Sequence, residues 1–186
     1  ITPMEKISEQ KIIDLPKRIR VQFVNSLSGF KSANLIGTKN LSGQENLSIA
    51  SSVTHVGSNP PLLSVIFRSP LVERHSYENI IETNFFTINN IDKYFFREAH
   101  QTSARYPRNV SEFEECSIEK EYLDNFHAPF AKQSQIKIAL EYAESYTIKK
   151  NNCVFLIGQI KAVYYNKKIL LDDGSLDLAK SGIVSI

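Results

Sequence analysis

Asn46-Leu-Ser-Ile-Ala-Ser-Ser-Val-Thr-His-Val-Gly-Ser-Asn-Pro-Pro61 crowds small hydroxyl side chains into an extended segment whose neighbours are large and apolar. Ser and Thr hydroxyls can donate to phosphate or carbonyl oxygens, and small side chains let a flat ring lie close to the backbone. The plainer reading is a polar strand edge closed by a turn, because hydroxyl-bearing residues are common in strands. The two prolines halt regular pairing, since proline donates nothing to a ladder and restricts the residue before it.

Outward from this run, the sequence alternates extended segments with turns. Residues 32–39 read as a strand and residues 40–44 as the turn that ends it. A second extended run over residues 47–55 gives the pair the spacing of a hairpin. Residues 62–67 are almost wholly apolar, which predicts a central strand covered on both faces. A helix over residues 76–83 is predicted to open with Ser76 as its cap, with Asn79 and Glu82 outward and Ile80 inward. Residues 85–89 read as a further strand. Residues 94–126 are rich in charge and aromatics without a clean period, which suggests one or two short inserted helices. The longest strand candidates, residues 135–148 and 153–165, are joined by Lys149-Lys150-Asn151-Asn152, a good turn for an antiparallel hairpin. Asp172-Asp173-Gly174 makes one more turn. Six or seven strands with few helices predict a mainly β protein, an antiparallel barrel closed or nearly closed so that few edges stay unpaired.

Composition narrows the function classes. At 186 residues the chain is most simply one domain, with residues 1–23 as an N-terminal extension. Hydrophobic residues make up 42% and charged residues 23%, ordinary for a globular protein. A net charge of +2, dispersed along the chain, gives no case for nucleic acid or an anionic membrane surface as partner. Cys116 and Cys153 lie far apart and outside any CxxC pattern, which suits a reducing, cytoplasmic setting. No apolar run is long enough for a membrane-spanning helix, and the N-terminal residues are polar and charged. There is no GxGxxG, Walker loop, HExxH or GxSxG, and His55, His75, His100 and His127 are too scattered to suggest a metal site. If the chain is an enzyme, a bound cofactor must do the hard chemistry.

Arg74-His75-Ser76 stands at the expected start of a helix, where free amide N–H groups favour an anion and Arg74 adds a charge. A serine cap would account for Ser76 without any ligand. Taken in order, however, the pieces resemble the flavin reductase-like family with an FMN-binding split barrel, over residues 31–174. Lys31-Ser32-Ala33-Asn34-Leu35-Ile36-Gly37-Thr38 is similar to the family's first barrel strand, followed by the turn at Gly43 and the strand quoted above. Ser58-Asn59-Pro60-Pro61-Leu62-Leu63 resembles its Asn/Asp-Pro-Pro signature. Arg74-His75-Ser76 with Asn79-Ile80 resembles its phosphate-binding basic-x-Thr…Asn-Ile segment. Ala128-Pro129, Ser134, Glu141 and Ile157-Gly158-Gln159-Ile160 fall where the family places its last long hairpin.

The resemblance implies an FMN-binding split β-barrel of Greek-key antiparallel topology. It implies that Ser48, Ile49, Ala50, Ser51, Ser52 and Val53 line the isoalloxazine, mostly through backbone groups. Ser51, Arg74, His75 and Ser76 would serve the ribityl-phosphate end, Thr54 would lie near the flavin edge, and Asn59 and Pro60 would shape the adjoining loop. Two departures bear on this. Ser52 and Val53 stand where many relatives carry bulkier residues, and Ser76 replaces a commoner threonine. The implied activity is transfer of hydride from NAD(P)H to flavin, with no protein nucleophile or general base and so no catalytic side chain. An FMN-binding electron carrier similar to flavoredoxin is the alternative, and a barrel without cofactor, serving only as an interaction module, is a third reading. The family further implies a homodimer with flavin at or near the interface, Tyr94-Phe95-Phe96 being an interface or core candidate. A flavin-dependent partner enzyme would receive the reduced product.

Overall fold

The computed structural model describes residues 4–186 and divides them into two compact units, one ending at Lys31 and one spanning Ser32–Ile186. The first holds two helices, α1 (Glu9–Asp14) and α2 (Lys17–Ser26). Ser8 caps α1, accepting from the Lys11 N–H at 3.4 Å, and Pro16 immediately precedes α2. The expected extension over residues 1–23 falls within this unit, except that its first three residues lie outside the described ones.

The second unit is built on one antiparallel seven-stranded sheet: β1 (Asn34–Lys39), β2 (Glu45–Ala50), β3 (Thr54–Ser58), β4 (Pro61–Phe67), β5 (Phe85–Asn90), β8 (Ile136–Thr147) and β9 (Val154–Tyr165). Between β4 and β5 lies α3 (His75–Thr83). Between β5 and β8 lie α4 (Phe96–Gln101), α5 (Glu112–Glu115) and a small ribbon of β6 (Lys120–Glu121) and β7 (Phe130–Ala131). The spatial order is β2-β1-β5-β8-β9-β4-β3, so the two edge strands are consecutive in the chain. This is a split β-barrel, and residues 51–53 cross the split.

Turn chemistry explains the two main hairpins. In the first, the Asn40 side chain accepts from the Gln44 N–H at 2.7 Å and Gly43 takes a φ of 89°, a conformation glycine adopts without penalty. In the second, Asn152 sits at φ 57° and the Asn151 side chain accepts from the Cys153 N–H at 3.0 Å. The register then pairs β1 with β2 from Asn34↔Ala50 to Lys39↔Glu45, and β8 with β9 along nearly their whole length.

Because β1 lies between β2 and β5 and is covered on both faces, it is the most completely buried strand of the seven-stranded sheet. On one face, Ile36 packs with Val65, Ile80, Phe86, Ile88, Leu140, Val154 and Leu156. On the other, Leu35 packs with Leu47, Phe95, Ala99, Phe113, Cys116 and Ile118, which places α4 and α5 over β1 and β2. Fully burying each such aliphatic or aromatic side chain stabilises the fold by about 1.5–3 kcal/mol. Gly37 is required by close approach, since a Cβ there would overlap the Pro129 carbonyl oxygen and stand 2.5 Å from Thr87 Oγ1.

Four expectations are corrected. The extended run over residues 47–55 breaks at residues 51–53 into β2 and β3. The strand over residues 62–67 is not covered on both faces: β4 lies next to the edge strand β3, and Ile66 is 42% exposed. The N-cap position of α3 belongs to Arg74, and Ser76 is a buried residue of its first turn. Asn79 faces inward, its amide donating to Thr38 Oγ1 of β1 at 3.1 Å. Of Tyr94-Phe95-Phe96, Phe95 belongs to the core and the two flanking rings are exposed.

One buried carboxylate ties the inserted segment to the sheet. Glu112 of α5 accepts from the Leu47 N–H of β2 at 2.9 Å, on an edge where no neighbouring strand pairs with that amide. Burial pushes its carboxyl above the ordinary value, opposed chiefly by the Leu47 hydrogen bond.

Two outcomes follow for stability, both read from urea unfolding. Gly37→Ala should cost about 1–3 kcal/mol or more, the range for forcing extra volume into a packed core. Glu112→Ala should cost about 1–3 kcal/mol by leaving the Leu47 N–H unpaired, whereas Glu112→Gln keeps an acceptor there. Because the folded carboxyl is raised, its stabilising contribution is fully present below the unfolded value of about 4.3 and is lost as pH rises through the folded value. Wild-type stability should therefore fall relative to Glu112→Gln across that window.

Candidate functional site

Along β2, alternate residues point to opposite faces. Asn46 and Ser48 face α3, and both meet Ser76: Asn46 Nδ2 donates to Ser76 Oγ at 2.7 Å, and Ser48 Oγ lies 2.7 Å from the same oxygen. Two hydroxyl protons serve the Ser48–Ser76 pair and one suffices to join them. The other remains for an acceptor in the groove that opens beside them.

That groove has a volume of about 530 Å³ and is walled by β2, by the end of β4, by residues 72–76 and by residues 102–107. It lies within the range of about 300–1,000 Å³ usual for small-molecule sites. Its acidic and basic lining is Arg68, Glu73, Arg74, His75, Arg105 and Glu112. At its wall, α3 begins without a side-chain cap. The first hydrogen bond closing α3 runs from the Glu78 N–H to the Arg74 carbonyl, so the N–H groups of His75, Ser76 and Tyr77 have no protein acceptor among the described residues. Arg74 Nε is likewise shielded from solvent and without a partner. Free amides at a helix start and an unpaired guanidinium nitrogen make an anion-binding end.

Around this end, Glu78 accepts from the Arg74 N–H at 2.9 Å, and Glu73 lies 3.3 Å from His75 Nε2. Arg108 bonds both carboxylates, Glu73 at 3.2 Å and Glu78 more closely. The guanidinium of Arg108, then His75, hold the Glu73 carboxyl below its ordinary value.

The expected site residues do not all converge. Ser48, Arg74, His75 and Ser76 come together in the groove. Ile49 points to the opposite face and lines a separate apolar cavity with Ala33, Ile91 and Val184. Ala50 and Val53 pack on the barrel core. Residues 51–53 lie in the split, and their three N–H groups have no acceptor among the described residues. The Ser52 hydroxyl is itself engaged, accepting from the Ile66 N–H at 3.0 Å and donating to the Ile66 carbonyl at 3.1 Å, which latches the crossing to β4. Thr54 is exposed on β3, and Asn59 and Pro60, joined by a cis peptide, form the exposed turn between β3 and β4.

Asn46, Arg105 and Glu112 line the groove and were not among the expected residues. The two-residue period that places Ser48 on one face of β2 also places Asn46 there, so that residue was legible. Nothing local marks Arg105 or Glu112, which lie in a segment without periodicity.

Among the described residues, no helix is long and apolar enough to cross a membrane.

A search among curated proteins finds no match. Among solved structures, the chain is similar to a protein from Shewanella frigidimarina NCIMB 400 described as a flavin reductase with split barrel domain. They share 45% identity with a TM-score of 0.94, over 98% of this chain and 91% of that one. Nitrilotriacetate monooxygenase component B from Bacillus cereus shares the fold at 19% identity and a TM-score of 0.86, over 100% of this chain and 92% of that one. Flavoredoxin of Desulfovibrio vulgaris (Miyazaki F) does so at 22% and 0.74, over 85% and 82%. The family model described as flavin reductase like domain matches residues 28–176, the whole sheet with its inserted helices, and the chain therefore belongs to the flavin reductase-like family.

Proposed function

We propose that this protein binds FMN in the groove beside Ser76 and transfers hydride from NAD(P)H to the flavin. The observation that carries this reading is the uncapped start of α3, opening beside the unpaired Arg74 Nε and the Ser48–Ser76 hydroxyl pair. Such an end suits a phosphate monoester. The three unbonded N–H groups of residues 51–53 suit the carbonyl oxygens and ring nitrogens of a flat heterocycle.

In this assignment Arg74, His75, Ser76 and Ser48 hold the phosphate, and Asn46 orients Ser76. The backbone of Ile49, Ala50, Ser51, Ser52 and Val53 follows the ring, while Thr54, Asn59 and Pro60 border its exposed edge. When bound, FMN supplies a two-electron centre that accepts hydride at N5, so no side chain need act as nucleophile or base. The protein's part is to fix the phosphate, orient the ring and leave one face open to a nicotinamide. The reading includes a homodimer and delivery of reduced flavin to a partner enzyme.

Anaerobic addition of NADH or NADPH to the FMN-loaded protein should bleach the flavin faster than free FMN treated alike. Bleaching no faster than free FMN would favour an electron carrier, and FMN fluorescence left unquenched by the protein would overturn flavin binding. Arg74→Ala should weaken FMN binding by about 1–3 kcal/mol, the range for one charge-assisted hydrogen bond. Fluorescence titration measures it.

A further inference from the structure

The anion-binding end of α3 is flanked by two carboxylates, which is unfavourable for a phosphate unless something offsets them. Glu73 directly precedes Arg74 and lines the groove. Glu78, one turn into the helix, reaches back to the Arg74 N–H. A single side chain bonds both: Arg108, from the loop before α5, places Nε 3.2 Å from Glu73 and a terminal nitrogen on Glu78. These three side chains are 37–61% exposed. Ion pairs of that exposure contribute little to folding stability. Their field is felt in the adjoining groove all the same, within a Debye length of about 8–10 Å at ordinary ionic strength.

We propose that Arg108 is a positioning residue for anion recognition. It neutralises Glu73 and Glu78 so that the start of α3 presents a net positive face to phosphate, without Arg108 itself touching the ligand. Glu78 then serves two ends: one oxygen fixes the Arg74 backbone at the helix entry, and the other is occupied by the guanidinium. Loss of Arg108 leaves Glu78 without a cationic partner and Glu73 with His75 alone, so negative charge stands beside the phosphate while the fold stays intact. The inference rests on the FMN reading and extends it to the electrostatics of the phosphate end.

The test compares FMN with riboflavin, which has the same ring and no phosphate, by quenching of flavin fluorescence. Arg108→Gln should weaken FMN binding about tenfold, equivalent to about 1.4 kcal/mol, and leave riboflavin affinity within about twofold. The FMN loss should shrink as salt is raised, because the repulsion is screened. Adding Glu73→Gln and Glu78→Gln to Arg108→Gln should restore FMN affinity, since glutamine at position 78 still offers an oxygen to the Arg74 N–H. A purely structural Arg108 would weaken both flavins alike and would not be rescued by removing carboxylates. Either that pattern or an unchanged FMN affinity in Arg108→Gln overturns this inference and leaves the FMN reading standing. Wild-type protein that binds neither flavin overturns both.

Discussion

Ser76 is the point at which the helix and the sheet become one site. Its hydroxyl sits in the first turn of α3, 5% exposed, and is reached from β2 by both Asn46 and Ser48. Buried polar groups must be paired, so this junction fixes how α3 meets β2. One turn further along, the Asn79 amide bonds Thr38 of β1, and Ile80 enters the barrel core. The helix is therefore pinned to two adjacent strands by hydrogen bonds on one side and apolar packing below. That arrangement holds its uncapped start at the mouth of the groove.

The split in the barrel is the second constraint. A sheet ending on two consecutive strands could close by pairing them, yet residues 51–53 cross between β2 and β3 without ladder partners. Unpaired backbone is costly when buried, and here the cost is limited by two devices. The Ser52 hydroxyl latches the crossing to Ile66, and residues 51–53 are half-buried rather than enclosed. On the β2 edge, the side chain of Glu112 takes the place of a neighbouring strand for the Leu47 amide. The amides of residues 51–53 remain as donors where a closed barrel would have consumed them.

Legibility in the sequence followed sequence distance. The β1–β2 and β8–β9 hairpins were readable because turn residues and alternation act over a few positions. Ser48 and Arg74-His75-Ser76 were readable for the same reason, each lying within a short strand or helix start. The break at residues 51–53 was not, because Ser51-Ser52-Val53 is as compatible with a continuous strand as its neighbours. What ends β2 there is the tertiary bond of Ser52 to β4. Asn79 was read as outward because it is polar, and only Thr38, 41 positions away, makes it an inward residue. Glu112 lies 65 positions from the amide it satisfies, and Arg108 lies 35 and 30 from its two carboxylates. No local pattern encodes such pairs.

The same distances explain why the groove mixes signs. A phosphate site assembled from one helix start and one arginine needs no carboxylate, yet Glu73, Glu78 and Glu112 all stand near it. Each has a structural partner: Glu112 the β2 edge, Glu78 the helix entry, Glu73 the ion pairs to His75 and Arg108. Glu112 meets burial by having its carboxyl raised, and Glu73 is held charged by its cationic neighbours. The acids thus order the walls of the groove, while Arg68, Arg74 and Arg105 set its sign. Glu112, buried and bonded to the β2 edge, acts through the scaffold, whereas the exposed pairs of Glu73 and Glu78 with Arg108 act on the charge of the groove.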